Sequence, residues 1–202
     1  MSSRRGKRKR RRIKAYLARF LFVLIILLML GAAGIGIYKL TGYISLSAKE
    51  VSATTLYVHK NGSVEETIVE DFDETAYSTE KLQKMIDDET SAYGNGVKAG
   101  KLKLANGKAI LKMKYSSCSD CAKFNDETFY AGKIDTLTEE GVNFSTDALS
   151  AGGRYAVVLN TSVDVAVPSK ILYASGNVTV DPENEKKATV SADNGEMAYI
   201  VY

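Results

Sequence analysis

The stretch from Leu102 to Tyr115, LKLANGKAILKMKY, decides the fold class. Leu102 and Leu104 precede Asn106-Gly107, and beyond the turn Leu111, Met113 and Tyr115 alternate with Lys112 and Lys114. A period of two places successive side chains on opposite faces, so one face is buried and the other solvated. Asn-Gly suits a tight turn between such runs. The stretch therefore predicts an antiparallel hairpin.

The flanking sequence repeats the theme. Thr54-Thr-Leu-Tyr-Val-His59 and Val64-Glu-Glu-Thr-Ile-Val69 flank Lys60-Asn61-Gly62-Ser63, a second hairpin pattern. Between the two, Thr79 to Tyr93 is amphipathic: Leu82, Met85, Ile86 and Tyr93 share one helical face, with Glu80, Lys81, Lys84, Asp87 and Asp88 elsewhere, and Gly94-Asn95-Gly96 ends the helix. A short helix is expected after Ser117, whose hydroxyl caps it with Asp120 three residues on. The last third is rich in β-branched and aromatic residues over 154–160, 163–167, 170–180, 188–191 and 196–202, and Asp193-Asn194-Gly195 supplies a hairpin-type turn. The expectation is an α+β fold: one domain, residues 54–202, strand-rich and mainly antiparallel, with two or three short helices. Only Pro168 and Pro182 interrupt the chain, and no second linker is visible.

Ahead of this domain the composition changes. Ten Lys or Arg and no acid occupy residues 1–19, followed by nineteen apolar residues, Phe20 to Tyr38, FLFVLIILLMLGAAGIGIY. At about 1.5 Å per residue that run is roughly 28 Å long as a helix, close to the ~30 Å hydrocarbon core of a bilayer. From Glu50 onward 24 Asp and Glu face 15 Lys and Arg, a net charge of −9 within an overall +3. Basic flanks stay cytoplasmic, so the reading is a basic cytoplasmic tail (1–19), a signal-anchor transmembrane helix (20–38), a linker (39–53) and an acidic domain outside the cell membrane. A cleaved secretory signal is the competing reading, with sites at Ser45 to Ala48 or Val51 to Ala53, but an apolar region of nineteen residues exceeds the usual ~7–15. The basic tail has no interleaved aromatics for base stacking, so its expected partner is anionic lipid and not nucleic acid. Ala32 and Gly36 form a small-xxx-small pair of the kind that lets membrane helices approach.

The residues most suggestive of chemistry are Cys118-Ser119-Asp120-Cys121, a C-x-x-C opening a predicted helix after a predicted strand, 109–115. That context is similar to thioredoxin-like redox sites, where a helix N-terminus favours the thiolate and the second sulfur resolves a mixed disulfide. The segment Val167-Pro168 to Tyr173 resembles the proline loop facing such sites. Against it stand Asp120, which opposes thiolate formation, the absence of Trp, Ser-Asp between the cysteines, and a hairpin where a crossover helix belongs. Two cysteines on one helical face also serve as buried packing residues or form a static disulfide. His59 is the single His and sits beside a predicted turn, leaving no partner for nucleophilic catalysis and no completed zinc set. The acidic runs 70–74 and 181–185 lack calcium-loop spacing, and Gly94-Asn95-Gly96 ends a helix where a phosphate loop opens one. No cofactor and no metal site are expected, and no catalytic residue is assigned.

Taken together, Thr54-Thr55-Leu56 to Asn61-Gly62-Ser63, Ile68 to Asp73, and Tyr115-Ser116-Ser117 to Asn125 resemble a family of small extracytoplasmic lipoproteins and membrane-anchored proteins of Gram-positive anaerobes. The resemblance covers about residues 54–140 and implies location without a reaction. The chain departs from the lipoprotein members in having no Cys before Cys118 to carry a lipid. The functional expectation is a membrane-anchored cell-envelope protein whose domain binds or scaffolds an envelope protein or polymer, with Tyr199 and Tyr202 among the candidate contacts. The alternative is a tethered thiol-disulfide oxidoreductase, with Cys118 attacking and Cys121 resolving.

Overall fold

The computed structural model describes residues 53–72, 78–192 and 195–202. The tail, the apolar segment and the linker lie outside them, apart from Ala53, and among the described residues no helix is long and apolar enough to cross a membrane. Among the described residues twelve strands form two sheets. The larger contains β1 (Thr55–Val58), β2 (Val64–Asp71), β3 (Val97–Ala99), β4 (Lys103–Ala105), β5 (Lys108–Tyr115), β8 (Val163–Ala166), β10 (Val178–Val180) and β11 (Lys187–Val190). Its order is β10-β11-β8-β1-β2-β5-β3, with β4 also on β5. The smaller, in the order β6-β7-β12-β9, contains β6 (Phe129–Lys133), β7 (Tyr155–Leu159), β9 (Tyr173–Ala174) and β12 (Ala198–Val201). Every pairing is antiparallel except β1 with β8. The fold is α+β, strand-rich and mainly antiparallel.

Among the described residues four helices accompany the sheets: α1 (Thr79–Tyr93), α2 (Cys118–Asn125), α3 (Ile134–Glu139) and α4 (Thr146–Ser150). The first two fall where the sequence places them. Gly94 closes α1 with φ +103° and its N–H on Thr90 O at 3.2 Å. The last two exceed the expected two or three helices. They are single short turns, too brief to show an apolar period. α3 is held by burial of Ile134 and Leu137, and α4 by the Ser145 hydroxyl accepting from Ala148 N–H.

The turns divide into one expected form and two departures. Asn106 (φ +54°) and Gly107 (φ +71°) form the two-residue loop joining Ala105 to its register partner Lys108, the geometry that type I′ hairpins demand. In the β1–β2 hairpin the first partners are Val58 and Val64, five residues are looped out, and Gly62 N–H closes a turn on His59 O at 3.0 Å. Asn61-Gly62 thus ends the turn, with Gly62 at φ +82° and the Asn61 side chain accepting from Ser63 N–H at 3.1 Å. Asp193 and Asn194, of the expected hairpin-type turn, lie outside the described residues. β11 and β12, on either side, belong to different sheets and do not pair with each other.

The register explains the core. Along β2 and β5, Val64 faces Tyr115, Glu66 faces Met113 and Ile68 faces Leu111, and these share the inner face with Leu56, Val58, Val97 and Val165. Phe129, Val157, Leu159, Ala198 and Ile200 of the smaller sheet join the same cluster, as do Ile86 of α1 and Cys121 of α2. Fully burying one such aliphatic or aromatic side chain is worth about 1.5–3 kcal/mol. The opposite face of the smaller sheet buries Ala156, Val158 and Val201 beneath Ile134, Leu137, Val142 and Ala148. On the outer face of the larger sheet Lys114 pairs with Glu65 at 3.0 Å and Lys108 with Asp71 at 2.8 Å.

The last strand packs closely against Gly153. A Cβ there would run into the Val201 side chain and sit 3.1 Å from Tyr202 N and O, backbone that Tyr155 holds through paired bonds of 3.1 and 2.9 Å. Gly153→Ala is expected to destabilise the fold by about 1–3 kcal/mol in urea unfolding. Gly176→Ala, in a turn with open space around it, should change stability by less than ~1 kcal/mol.

Candidate functional site

β5 ends at Tyr115, and the chain turns at once into α2. Ser117 is extended at φ −149°, and its Oγ accepts from Asp120 N–H at 3.1 Å while donating to Asp120 Oδ2 at 2.8 Å. The cap is therefore reciprocal, although the carboxylate returns to the hydroxyl and not to the Ser117 backbone as in a full capping box. Tyr93 OH donates to Asp120 Oδ1 at 3.2 Å, and Gly96 leaves room for that carboxylate, since a Cβ there would lie 2.6 Å from Oδ1. Asp120 thus joins α1, the β3 turn and α2.

The C-x-x-C begins on the first turn of α2. Cys118 is partly exposed, with Sγ 3.5 Å from Ala131 O on β6; Cys121 is 1% exposed in the main core. Both are free thiols. Burial pushes the Cys121 thiol far above its ordinary range, and the charges of Glu66 and Glu127 push it further. Asn125 Nδ2, 3.7 Å from the sulfur, only partly offsets this.

Glu66 is the unexpected member. Its place in the alternation Val64, Glu66, Ile68 puts a carboxylate on the inner face of the larger sheet, level with Leu56 on one side and Met113 on the other. Tyr115 OH donates to Glu66 Oε2 at 2.6 Å and Asn125 Nδ2 donates to the same oxygen at 3.4 Å. Burial raises the Glu66 pKa, and these two bonds counter it. The Tyr115 hydroxyl is pushed far up by burial and then by the Glu66 charge. Glu127, after α2, is pushed up to about 7 by burial and then by Glu66, with a Thr161 hydrogen bond pulling back.

The structure therefore brings Cys118 and Cys121 together beside a polar cluster of Glu66, Tyr115, Asn125 and Glu127. His59 does not join it; its Nε2 lies 3.7 Å from Glu65 and its ring meets Tyr57 edge-on at 4.4 Å. Pro168 lines an open cleft of about 440 Å³ with Tyr57, His59, Lys60 and Asn61. The expected contact residue Tyr202 is core: it is 7% exposed and stacks on Tyr155 at 5.9 Å. Tyr199 packs edge-on against Phe144 in the second cluster. Of the acidic runs, Asp73 and Glu74 lie outside the described residues. Asp181 builds its own turn by accepting from Glu183 N–H at 2.8 Å, and Glu185 pairs with Lys170 at 2.8 Å. Among the described residues no group of three His, Cys, Asp or Glu is placed to hold a metal ion.

The sequence reading assigned no role to Glu66, Tyr115, Asn125 or Glu127. A signal for Glu66 was present, because a strict period of two from Val64 to Ile68 puts it inside. Nothing local marks Glu127, whose side chain is hydrogen-bonded with Thr161, 34 residues on. Comparison of the chain with protein-family models, curated proteins and solved structures finds no match.

Two outcomes test this geometry. Tyr115→Phe strips Glu66 of its shortest hydrogen bond and is expected to cost about 1–3 kcal/mol in urea unfolding at neutral pH. In native protein, iodoacetamide should modify Cys118 while Cys121 reacts only once the protein is unfolded, as read by mass spectrometry of digests.

Proposed function

We propose that this is a single-pass membrane protein of the cell envelope, with residues 1–19 in the cytoplasm, 20–38 in the bilayer and 54–202 outside as a non-catalytic binding or scaffolding domain. Support for the placement comes from the charge contrast, ten cations before the apolar run against a net −9 beyond it. Anionic lipid is the partner of the helix and tail, and an envelope protein or polymer that of the domain.

The observation that carries the non-catalytic reading is the state of Cys121. A resolving thiol has to ionise and reach a mixed disulfide. Cys121 is buried, its only described polar contact is the Asn125 amide, and the two nearby carboxylates oppose its thiolate. These features support packing over exchange. The contact surface we favour is the cleft at the β1–β2 turn, where the Tyr57–His59 pair beside Lys60 and Asn61 offers an aromatic surface together with hydrogen-bond donors.

Protease added to intact cells should remove an epitope fused after Tyr202 and spare one fused before Met1; protection of both would overturn the placement. Purified full-length chain should catalyse no thiol-disulfide exchange above buffer. Turnover that Cys118→Ser abolishes would reinstate the oxidoreductase. A photo-crosslinker at position 60 should capture envelope material that the same group at the exposed position 123 does not, and equal capture at both would remove the cleft as the contact surface.

A further inference from the structure

The acidic domain contains one stretch of the opposite sign. Residues 90–119 hold Lys98, Lys101, Lys103, Lys108, Lys112 and Lys114 and no Asp or Glu, whereas the rest of the chain from Glu50 onward holds nine basic residues against 24 acidic ones. The fold gathers this stretch at one edge of the larger sheet. β3 and β4 lie end to end along β5, β3 beside Met113 to Tyr115 and β4 beside Lys108 to Ile110, with Gly100 N–H on Lys112 O at 2.7 Å between them. Lys98, Lys101 and Lys103 on this edge are exposed, and among the described residues none of the three is in an ion pair. Lys98 also stands directly opposite Lys114 in the ladder, and like charges so placed destabilise a sheet.

Lysine on an edge strand also deters sheets from associating. A general defence of that kind would recur on β10 at the other end of the sheet, where Val178, Thr179 and Val180 carry no charge. The shape of the charged surface points instead to a ligand. On the outer face beside the edge, Lys114 is paired with Glu65 and Lys108 with Asp71, so the surface of one sign is a line and not a plane. From Val97 to Ala105 that line runs about 30 Å in extended backbone. A linear chain of repeated negative charges fits it, while a flat bilayer would meet Glu65 and Asp71 as well. No aromatic residue lies within 94–114 to stack a base. Every cation in the stretch is Lys, a point charge that serves phosphate and lacks the planar fork of Arg.

We propose that the β3–β4 edge is the docking row for a flexible, phosphate-bearing linear polymer, held by Lys98, Lys101 and Lys103 through charge. This rests on the reading of the domain as an envelope-binding module and gives its polymer a chemistry. The row adjoins the cleft at the β1–β2 turn, because Glu65 Oε1, 3.0 Å from Lys114 Nζ, lies 3.7 Å from Nε2 of the cleft residue His59.

Acetylation of the full-length chain in phosphatidylcholine nanodiscs, with and without long-chain inorganic polyphosphate and read lysine by lysine by mass spectrometry, tests the row apart from the basic tail. At about 50 mM salt, polyphosphate should slow acetylation of Lys98, Lys101 and Lys103 on the order of tenfold and change the exposed Lys123, Lys133 and Lys186 less than about twofold. The protection should vanish by about 0.5 M salt. Replacing Lys98, Lys101 and Lys103 together by Gln should abolish protection of Lys114, and the equally charged triple replacement of Lys123, Lys133 and Lys186 should keep it. No protection at the edge, or equal protection at edge and control lysines, would overturn the proposal. So would protection in phosphatidylglycerol discs without polymer, which would assign the edge to the bilayer, or protection by a single-stranded oligonucleotide at a lower phosphate concentration than polyphosphate needs, which would assign it to nucleic acid. Capture of envelope material at position 60 without protection of the edge would remove the phosphate polymer and leave the cleft reading standing.

Discussion

The register of β2 on β5 is the constraint on which the rest depends. Eight consecutive pairs, from Val64 with Tyr115 to Asp71 with Lys108, fix which side chains face inward. A slip of one residue would exchange every inner side chain for an outer one, sending Lys112 and Lys114 into the core and Met113 and Tyr115 into water. The same register makes Glu66 and Tyr115 diagonal neighbours on the inner face, so the 2.6 Å bond between them is a product of the ladder. It also decides where α2 begins, because the ladder ends at Tyr115 and Ser117 caps the next helix.

A carboxylate among Leu56, Val64, Ile68 and Met113 costs free energy that hydrogen bonds return only in part. The cost is contained by position. Glu66 lies where the β5 end, α2 and the two loops beyond converge, so donors reach it from Tyr115 and Asn125. The outer-face pairs Lys114–Glu65 and Lys108–Asp71, at 39–64% side-chain exposure, add little beyond solvated charge.

The fold was legible in the sequence wherever local pattern decides structure. The Asn106-Gly107 hairpin, the span of α1 and the Ser117 cap each depend on a handful of adjacent residues, and each lies where the pattern puts it. What could not be read was long-range: the parallel seam of β1 on β8, and the division of strands between two sheets that separates β11 from β12. Tyr202 is an aromatic residue on a strand pattern, equally suited to surface or core, and its stacking on Tyr155 decides the matter. The polar cluster divides the same way. Glu66 follows from parity along one strand, whereas Glu127 needs two turns brought together.

The cysteines show why motif and site differ. Helix start, preceding strand and spacing are all present at Cys118-Ser119-Asp120-Cys121, so the local requirements for an activated thiol are met. Activation also needs a field that favours a thiolate, and the surroundings supply the opposite. Asp120 spends the helix N-terminus on its own carboxylate through Ser117, and Glu66 and Glu127 add negative potential at Cys121. Sequence spacing specifies where sulfur atoms lie; the charges brought against them by β2 and by the turn after α2 specify what those atoms do. In this chain those charges, together with burial, disfavour the Cys121 thiolate.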